Sequence, residues 1–290
     1  GTVIISASGH CQDIRKVVKP VLNKKIGDLY YIDLSFDKLR LGGSSFAQTQ
    51  NKIGNDAPTI RNSVKFRDAF NLVQDLIKSN KIKSGHDISS GGMITTLLEM
   101  CFSSVNTGMD INLTELGCSD STKLFFSENQ GLIIQSELNL KNNFSKIGVD
   151  CHKIGKVNNV GLLNIKNFED NFSFNISEYR DIWYSTSKDF DKIQTKSNKG
   201  VERFNNYKNQ PLNFIFPDDF HGNVDRDFDK NKINAAVIRE KGSNSEREMA
   251  YMMSIAGFNV KDIHMTDIIS GKENLEDIQL LVAVGGFSNS

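Results

Sequence analysis

The sequence predicts an α/β protein of two domains, one complete and one that stops after about two β-α-β steps. Three observations predict it. Short β-branched or aromatic runs alternate with apolar residues at helical spacing, a polar stretch over residues 185–231 interrupts that alternation, and the alternation resumes at Ala235. With 290 residues, 38% hydrophobic and 24% charged, the chain can bury a sizeable core or two.

In chain order, residues 2–8 and 28–34 read as buried strands. Over residues 63–80, Phe66, Ala69, Phe70, Val73, Leu76 and Ile77 fall on one helical face. A polar, glycine-rich loop at residues 83–92 then runs straight into Met93, Ile94, Leu97, Leu98, Cys101 and Phe102, again at helical intervals. Strand-like runs follow at residues 131–135, 154–157 and 162–165, so the first domain ends near Trp183. The polar stretch reads as a linker that wraps over a surface, partly ordered by Phe204, Phe214 and Phe216. Beyond it, residues 235–239 read as a strand, and Met249, Ala250, Met252, Met253 and Ala256 mark a helix. Ser243 and Glu246 have capping-box spacing and Gly257 is a stop signal. Residues 258–264 and 280–284 are the next strands, the latter read as buried and ending in Gly285-Gly286. The resulting division is 1–186, a linker over 187–232, and an unfinished domain over 233–290.

Bulk chemistry narrows the function classes. Lys+Arg and Asp+Glu stand at 35 each, which gives no electrostatic footprint for nucleic acid. No apolar run approaches the ~20 residues of a membrane helix, and no secretory leader is visible. Cys11, Cys101, Cys118 and Cys151 form no CxxC pair and no zinc spacing with histidine, as expected of reduced cysteines in the cytoplasm.

The strongest chemical signal is His86-Asp-Ile-Ser-Ser-Gly-Gly92 at a helix start. Gly91 and Gly92 can offer backbone N–H groups to an anion where the helix dipole favours negative charge. Ser89 can donate to a phosphate oxygen, and Asp87 is a hard oxygen ligand suited to Mg²⁺. An ordinary helix start, capped by Asp87 or Ser89 with the glycines as a turn, fits the same pattern. His86 reads as a packed or hydrogen-bonded group. Leu41-Gly-Gly-Ser-Ser-Phe-Ala47 is a second Gly/Ser loop, a phosphate approach or a plain turn. Glu128 is a candidate acid or metal ligand, or a local cap. Gly286, after a strand, is a candidate oxyanion donor or part of a tight turn.

Several of these stretches together resemble one family. His86-Asp-Ile-Ser-Ser-Gly-Gly-Met-Ile-Thr-Thr-Leu-Leu-Glu-Met100 is similar to the HDxSDGGL…LAEM stretch of the large phosphoribosylformylglycinamidine synthases. Val237-Ile-Arg-Glu-Lys-Gly-Ser-Asn-Ser-Glu-Arg-Glu-Met-Ala250, His264-Met-Thr-Asp-Ile-Ile-Ser-Gly271 and Val284-Gly-Gly-Phe-Ser288 resemble the opening of that family's glutaminase domain. Asp13-Ile-Arg-Lys16, Leu41-Gly-Gly-Ser-Ser-Phe-Ala-Gln48 and Leu124-Phe-Phe-Ser-Glu128 fall in order between or before them. The resemblance implies an aminoimidazole ribonucleotide synthetase C-terminal-like α/β domain followed by a truncated flavodoxin-like class I glutamine amidotransferase domain. It implies an internal fragment, inactive alone, of an enzyme of purine biosynthesis. That enzyme uses ATP to phosphorylate the formamide oxygen of formylglycinamide ribonucleotide, and ammonia from glutamine displaces the phosphate.

The family's loop residues map to Asp87, which would help hold Mg²⁺, and Ser89, which would contact a nucleotide. In the large bacterial form that nucleotide is a retained ADP. Gly286 matches the family's oxyanion-hole glycine, and none of the four cysteines matches its nucleophile. The triad is expected beyond Ser290 and the ATP core before Gly1, so the partners implied are ATP, formylglycinamide ribonucleotide, glutamine and the remaining domains of the same chain. Ser90 departs from the pattern, replacing the family's second Asp and removing one negative charge beside the phosphates. Two other readings are a non-catalytic nucleotide-binding regulatory module, and an aminoimidazole ribonucleotide synthetase-like kinase that leaves the second domain unexplained.

Overall fold

The computed structural model describes residues 4–11, 13–24, 27–206, 209, 215, 217–219 and 233–286. The chain divides into two compact units between residues 210 and 211.

In the first unit the strands are β1 (Asp28–Asp33), β2 (Ser84–Asp87), β3 (Gly108–Asn112), β4 (Gly131–Ser136), β5 (Cys151–Asn158), β6 (Leu162–Asn167) and β7 (Asp170–Asn175). They form one sheet in the order β2-β4-β1-β5-β3-β6-β7. Every pair is antiparallel except β3 with β6. The helices are α1 (Ser45–Thr49), α2 (Ser63–Lys78), α3 (Gly92–Cys101), α4 (Ser121–Phe126), α5 (Lys141–Ser145), α6 (Ile176–Gln194) and α7 (Lys199–Asn206).

Central strand β1 has helices on both sides. Leu29 and Tyr31 join a core with Ile94, Leu97 and Ile133, while Tyr30 and Ile32 join another with Ala69, Val73, Leu76 and Phe144. A strand covered on both faces carries apolar residues without alternation, which is why residues 28–34 are a continuous run. Helix α2 opens on Asn62, whose side chain accepts the Lys65 N–H at 2.9 Å, and it buries Ala69, Val73 and Leu76. Phe70, one step round the helix from Ala69, stays 53% exposed. Helix α3 is apolar almost all round because it packs against α4, α6 and β2.

Three expectations are corrected. Residues 4–8 form no strand, and Ile4 and Ile5 are 86% and 87% exposed. A β-branched run becomes a strand only when a neighbouring strand takes its backbone hydrogen bonds, and these residues have none among the described residues. Residue 186, the expected end of the first domain, lies inside α6, and α7 continues the helical structure to Asn206. Asn175 caps α6 by accepting the Glu178 N–H, Arg203 pairs with Asp191 at 2.6 Å, and Lys188 Nζ sits 4.7 Å from the centre of the Phe204 ring. Phe214 and Phe216 lie outside the described residues.

The second unit is a parallel sheet with β8 (Asn234–Arg239) between β10 (Leu280–Ala283) and β9 (Asn259–His264), joined through α8 (Glu246–Ile255) and α9 (Met265–Ile269). Ala235, Val237 and Met253 centre its core. Gly257 follows α8 at φ +94°, the left-handed stop expected of it. The third correction concerns the helix start and the last strand. Ser245, not Ser243, is the N-cap residue of α8, and the Ser243 hydroxyl instead accepts the Glu240 N–H at 2.8 Å. Among the described residues strand β10 lies at the edge of its sheet, with Leu281 51% exposed.

Leu97 is completely buried where α3 meets the sheet. Leu97→Ala should lower the stability of the first unit by about 2–5 kcal/mol in urea unfolding. A loss under about 1 kcal/mol would show that α3 does not seal this core.

Candidate functional site

Strand β2 delivers the loop. Asp87 is its last residue, paired with Leu132, and Ile88 donates its N–H to the Gly131 carbonyl at 2.9 Å while its side chain enters the core. The chain then turns through Gly91 (φ +87°) and Gly92 (φ +74°) into α3. Both conformations favour glycine, and at Gly92 a Cβ would also overlap the Phe125 carbonyl. The N-cap residue is Gly91, with no side-chain cap, so neither Asp87 nor Ser89 caps α3. The Asp87 side chain is 70% exposed and Ser89 and Ser90 face solvent. An apolar hollow of about 210 Å³, lined by Val73, Ile77, Leu132 and His86 among others, adjoins Asp87.

The glycine amides are already engaged. Gly91 donates its N–H to Glu128 Oε1 at 2.8 Å, and Gly92 donates to the Ser89 carbonyl at 3.0 Å. These glycines shape the turn, and both N–H groups already have acceptors, which leaves the exposed side chains of Asp87 and Ser89 as the loop's outward polar groups. Glu128 Oε1 also accepts the Ser45 N–H at 2.8 Å, from the second Gly/Ser loop. That loop is an ordinary helix start in itself, with the Ser44 hydroxyl accepting the Ala47 N–H at 3.2 Å. Nothing local in the sequence reveals the Glu128 link, because its two partners lie 37 and 83 positions away.

His86 is held among neighbours, its side chain 18% exposed. Nε2 lies 3.3 Å from Glu99 Oε2, and Nδ1 lies 2.8 Å from the Asp87 carbonyl oxygen. The Trp183 indole N–H donates to Glu99 Oε1 at 3.2 Å, tying α6 to α3 beside the loop. Among the described residues no three His, Cys, Asp or Glu side chains cluster as a metal site. Asp87 and Ser89 are hard oxygen donors, and one carboxylate completed by phosphate oxygens and water is a donor set that Mg²⁺ accepts at nucleotides. The residues present therefore fit one corner of such a site.

A second concavity, of about 430 Å³, is lined by Tyr31, Asp33, Asp37, Met93, Lys123 and His152 among others. Asp37 on its rim is ion-paired with Arg40 and Arg61, each at 3.0 Å. Its carboxyl is lowered from 3.8 to about 2, chiefly by the Arg40 hydrogen bond, with the Lys38 N–H and Arg61 adding to it against desolvation. Burial pushes the Cys101 and Cys151 thiols up to about 12, which leaves them protonated and unreactive near neutral pH. In the second unit Gly286 faces Ser243 in an antiparallel bridge, with the Asn244 N–H donating to the Gly285 carbonyl at 2.9 Å. A Cβ on Gly286 would overlap the Gly242 carbonyl, so close approach alone calls for glycine there. Phe287 lies outside the described residues.

Residues 29–166 match the family described as AIR synthase related protein, C-terminal domain, and residues 232–290 match the CobB/CobQ-like glutamine amidotransferase domain. The chain thus joins a synthetase-type α/β domain to a glutamine amidotransferase-type domain, the fold class the sequence predicts. Over 99% of its length it is homologous to phosphoribosylformylglycinamidine synthases. It is 37% identical to a probable one, chloroplastic/mitochondrial, of Arabidopsis thaliana, 32% to a probable one of Caenorhabditis elegans and 30% to that of Homo sapiens. The chain spans 21%, 24% and 22% of the length of these relatives respectively. Among solved structures, Thermotoga maritima PurL complexed with ATP aligns with a TM-score of 0.43 at 9% identity, covering 57% of this chain and 27% of that one. Among the described residues no helix is long and apolar enough to cross a membrane.

Because its folded value is depressed, Asp37 contributes stability that is fully present above about 3.8 and is lost as pH falls toward about 2. A carboxyl titration followed by NMR should place Asp37 near pH 2. Arg40→Ala should raise that midpoint more than Arg61→Ala; the reverse order would show that Arg61 is the dominant partner.

Proposed function

We propose that this chain takes part in the conversion of formylglycinamide ribonucleotide to formylglycinamidine ribonucleotide, driven by ATP and supplied with ammonia from glutamine. The observation that carries the proposal is the homology over 99% of the chain, with both domain matches in the same order. In this reaction the formamide oxygen attacks the γ-phosphorus of ATP and ADP leaves. Ammonia then adds to the activated carbon, inorganic phosphate leaves with that oxygen, and the amidine remains after proton loss.

The first unit supplies a nucleotide site shared with other domains. The Asp87 carboxylate would hold Mg²⁺, which when bound would offset the charge of the nucleotide phosphates. The Ser89 hydroxyl donates to a phosphate oxygen, while Gly91 and Gly92 set the turn that points both side chains outward. In the second unit the Gly286 N–H is the candidate oxyanion donor for glutamine hydrolysis. None of the four cysteines is the nucleophile of that hydrolysis: Cys101 and Cys151 are held as thiols, and neither Cys11 nor Cys118 lies in the glutaminase unit. Four free cysteines accord with the cytoplasm as the place of action.

In the full-length protein carrying this sequence, ATP- and glutamine-dependent amidine formation should be measurable, and its absence would overturn the proposed reaction. Asp87→Ala should weaken Mg-ADP binding by about tenfold or more in calorimetry. Unchanged affinity would remove Asp87 from the nucleotide site.

A further inference from the structure

We propose that Glu128 is a positioning residue that locks the two Gly/Ser loops into one wall, so that the order of residues 41–47 sets how well the Asp87–Ser89 turn holds a nucleotide. The proposal rests on the reading of that turn as a nucleotide site.

A single carboxylate oxygen, Glu128 Oε1, accepts both the Gly91 and the Ser45 N–H groups, each at 2.8 Å. These are the N-cap residue of α3 and the first residue of α1, donors that have no partner within their own helices. Hydrogen bonds from backbone N–H to a charged oxygen are about twice as strong as neutral ones. The side chains around Glu128 repeat the arrangement. Phe126 stacks on Phe46 with ring centres 4.7 Å apart, which joins the end of α4 to α1 by an apolar contact. Asn129, 2% exposed, accepts the Arg40 N–H at 3.1 Å and donates to Ser35 Oγ and the Lys38 carbonyl. Phe126, Glu128 and Asn129 thus reach three neighbouring points of residues 35–46, but Glu128 alone of the three also hydrogen-bonds the α3 turn. Removing it leaves the turn fixed by its Ser89–Gly92 bond and severs its hydrogen-bonded link to α1.

The geometry gives Glu128 Oε1 a structural role distinct from that of an acid or metal ligand. Its Oε1 is turned onto two backbone donors, and a divalent cation there would face N–H dipoles of the wrong sign. A carbonyl oxygen can accept the same two bonds, so an amide in place of the acid preserves the link. Ser45 offers an independent way to cut one arm. It is the first helical residue after Ser44, whose backbone (φ −71°, ψ 157°) suits the residue before a proline, and proline is tolerated at a first helical position.

The test uses the full-length protein, with hydrogen exchange at residues 41–50 and 88–97 and calorimetric Mg-ADP affinity as readouts. Glu128→Ala should speed exchange in both segments by about tenfold or more. It should also weaken Mg-ADP by about tenfold. Glu128→Gln, which keeps an acceptor for both N–H groups but loses its charge, should lose far less than Glu128→Ala in both. Ser45→Pro, which leaves Glu128 and the turn untouched, should weaken Mg-ADP severalfold. Equal losses for the Gln and Ala variants, or exchange that rises in one segment only, would overturn the clamp. So would an unchanged affinity in Ser45→Pro while Asp87→Ala abolishes binding. If Asp87→Ala leaves Mg-ADP binding intact but the exchange pattern follows the expectation, the nucleotide reading fails and the clamp between the loops stands.

Discussion

The closeness of two backbones at the start of α3 governs how the first unit is assembled around the loop. The turn into that helix brings Gly92 against the Phe125 and Phe126 backbone, where any Cβ would overlap the Phe125 carbonyl, and it does so at φ +74°. Glycine meets both requirements at once. With α3 and the end of α4 in backbone contact, residues 126–129 are brought to the turn, and the rest of the site follows. Glu128 reaches Gly91 on one side and Ser45 on the other, Phe126 meets Phe46, and Asn129 ties down residues 35–40. Three stretches far apart in sequence meet through the absence of one side chain.

How much of this was legible in the sequence depended on the range of the interaction. Helices α2 and α3 and strands β1, β4, β5, β6 and β8 announce themselves by local period or by an unbroken apolar run. Asp87 and Ser89 were legible as candidates for the same reason, since motif and helix start are contiguous. Residues 4–8 misled because strand identity is completed by a neighbour that no local pattern contains. The helical end of the first unit was hidden by polarity. Helix α6 buries only Ile176 fully and leaves Ile182, Phe190 and Ile193 more than half exposed, so its apolar stripe is thin. Its support comes instead from a cap at Asn175 and from pairing with α7. The glycine amides misled in the opposite way: glycines before a helix read as open donors, and the acceptor that occupies Gly91 lies 37 positions downstream.

That polar end of the first unit also reaches the neighbourhood of the loop. Trp183 stands where the sequence suggested the domain was finishing, yet its indole N–H reaches Glu99, which faces His86 beside Asp87. Phe102 packs against the same indole with ring centres 5.9 Å apart, so α6 grips α3 by an apolar and a polar contact together. His86 accordingly belongs to the scaffold, its ring lying between Glu99 Oε2 and the Asp87 carbonyl oxygen. It ties the end of β2 to α3 beside Asp87.

The charge balance of the turn then has a consequence for how a metal nucleotide would be held. Ser90 leaves Asp87 as the only carboxylate at residues 86–92, and the nearby carboxylate of Glu128 is turned onto backbone donors. One exposed carboxylate is a poor Mg²⁺ site by itself, because the ion keeps its water unless several hard oxygens replace it. On the proposed reading the phosphates must supply most of the remaining negative oxygens, so metal and nucleotide bind as a unit. The loop contributes a charged side chain, a hydroxyl and a fixed direction. The backbone of that turn is held by Gly92's close approach to Phe125 and by the hydrogen bonds of His86 and Glu128. On that reading the loop's share of the site is two side chains, Asp87 and Ser89, carried on a turn that Gly92 and Glu128 hold in place.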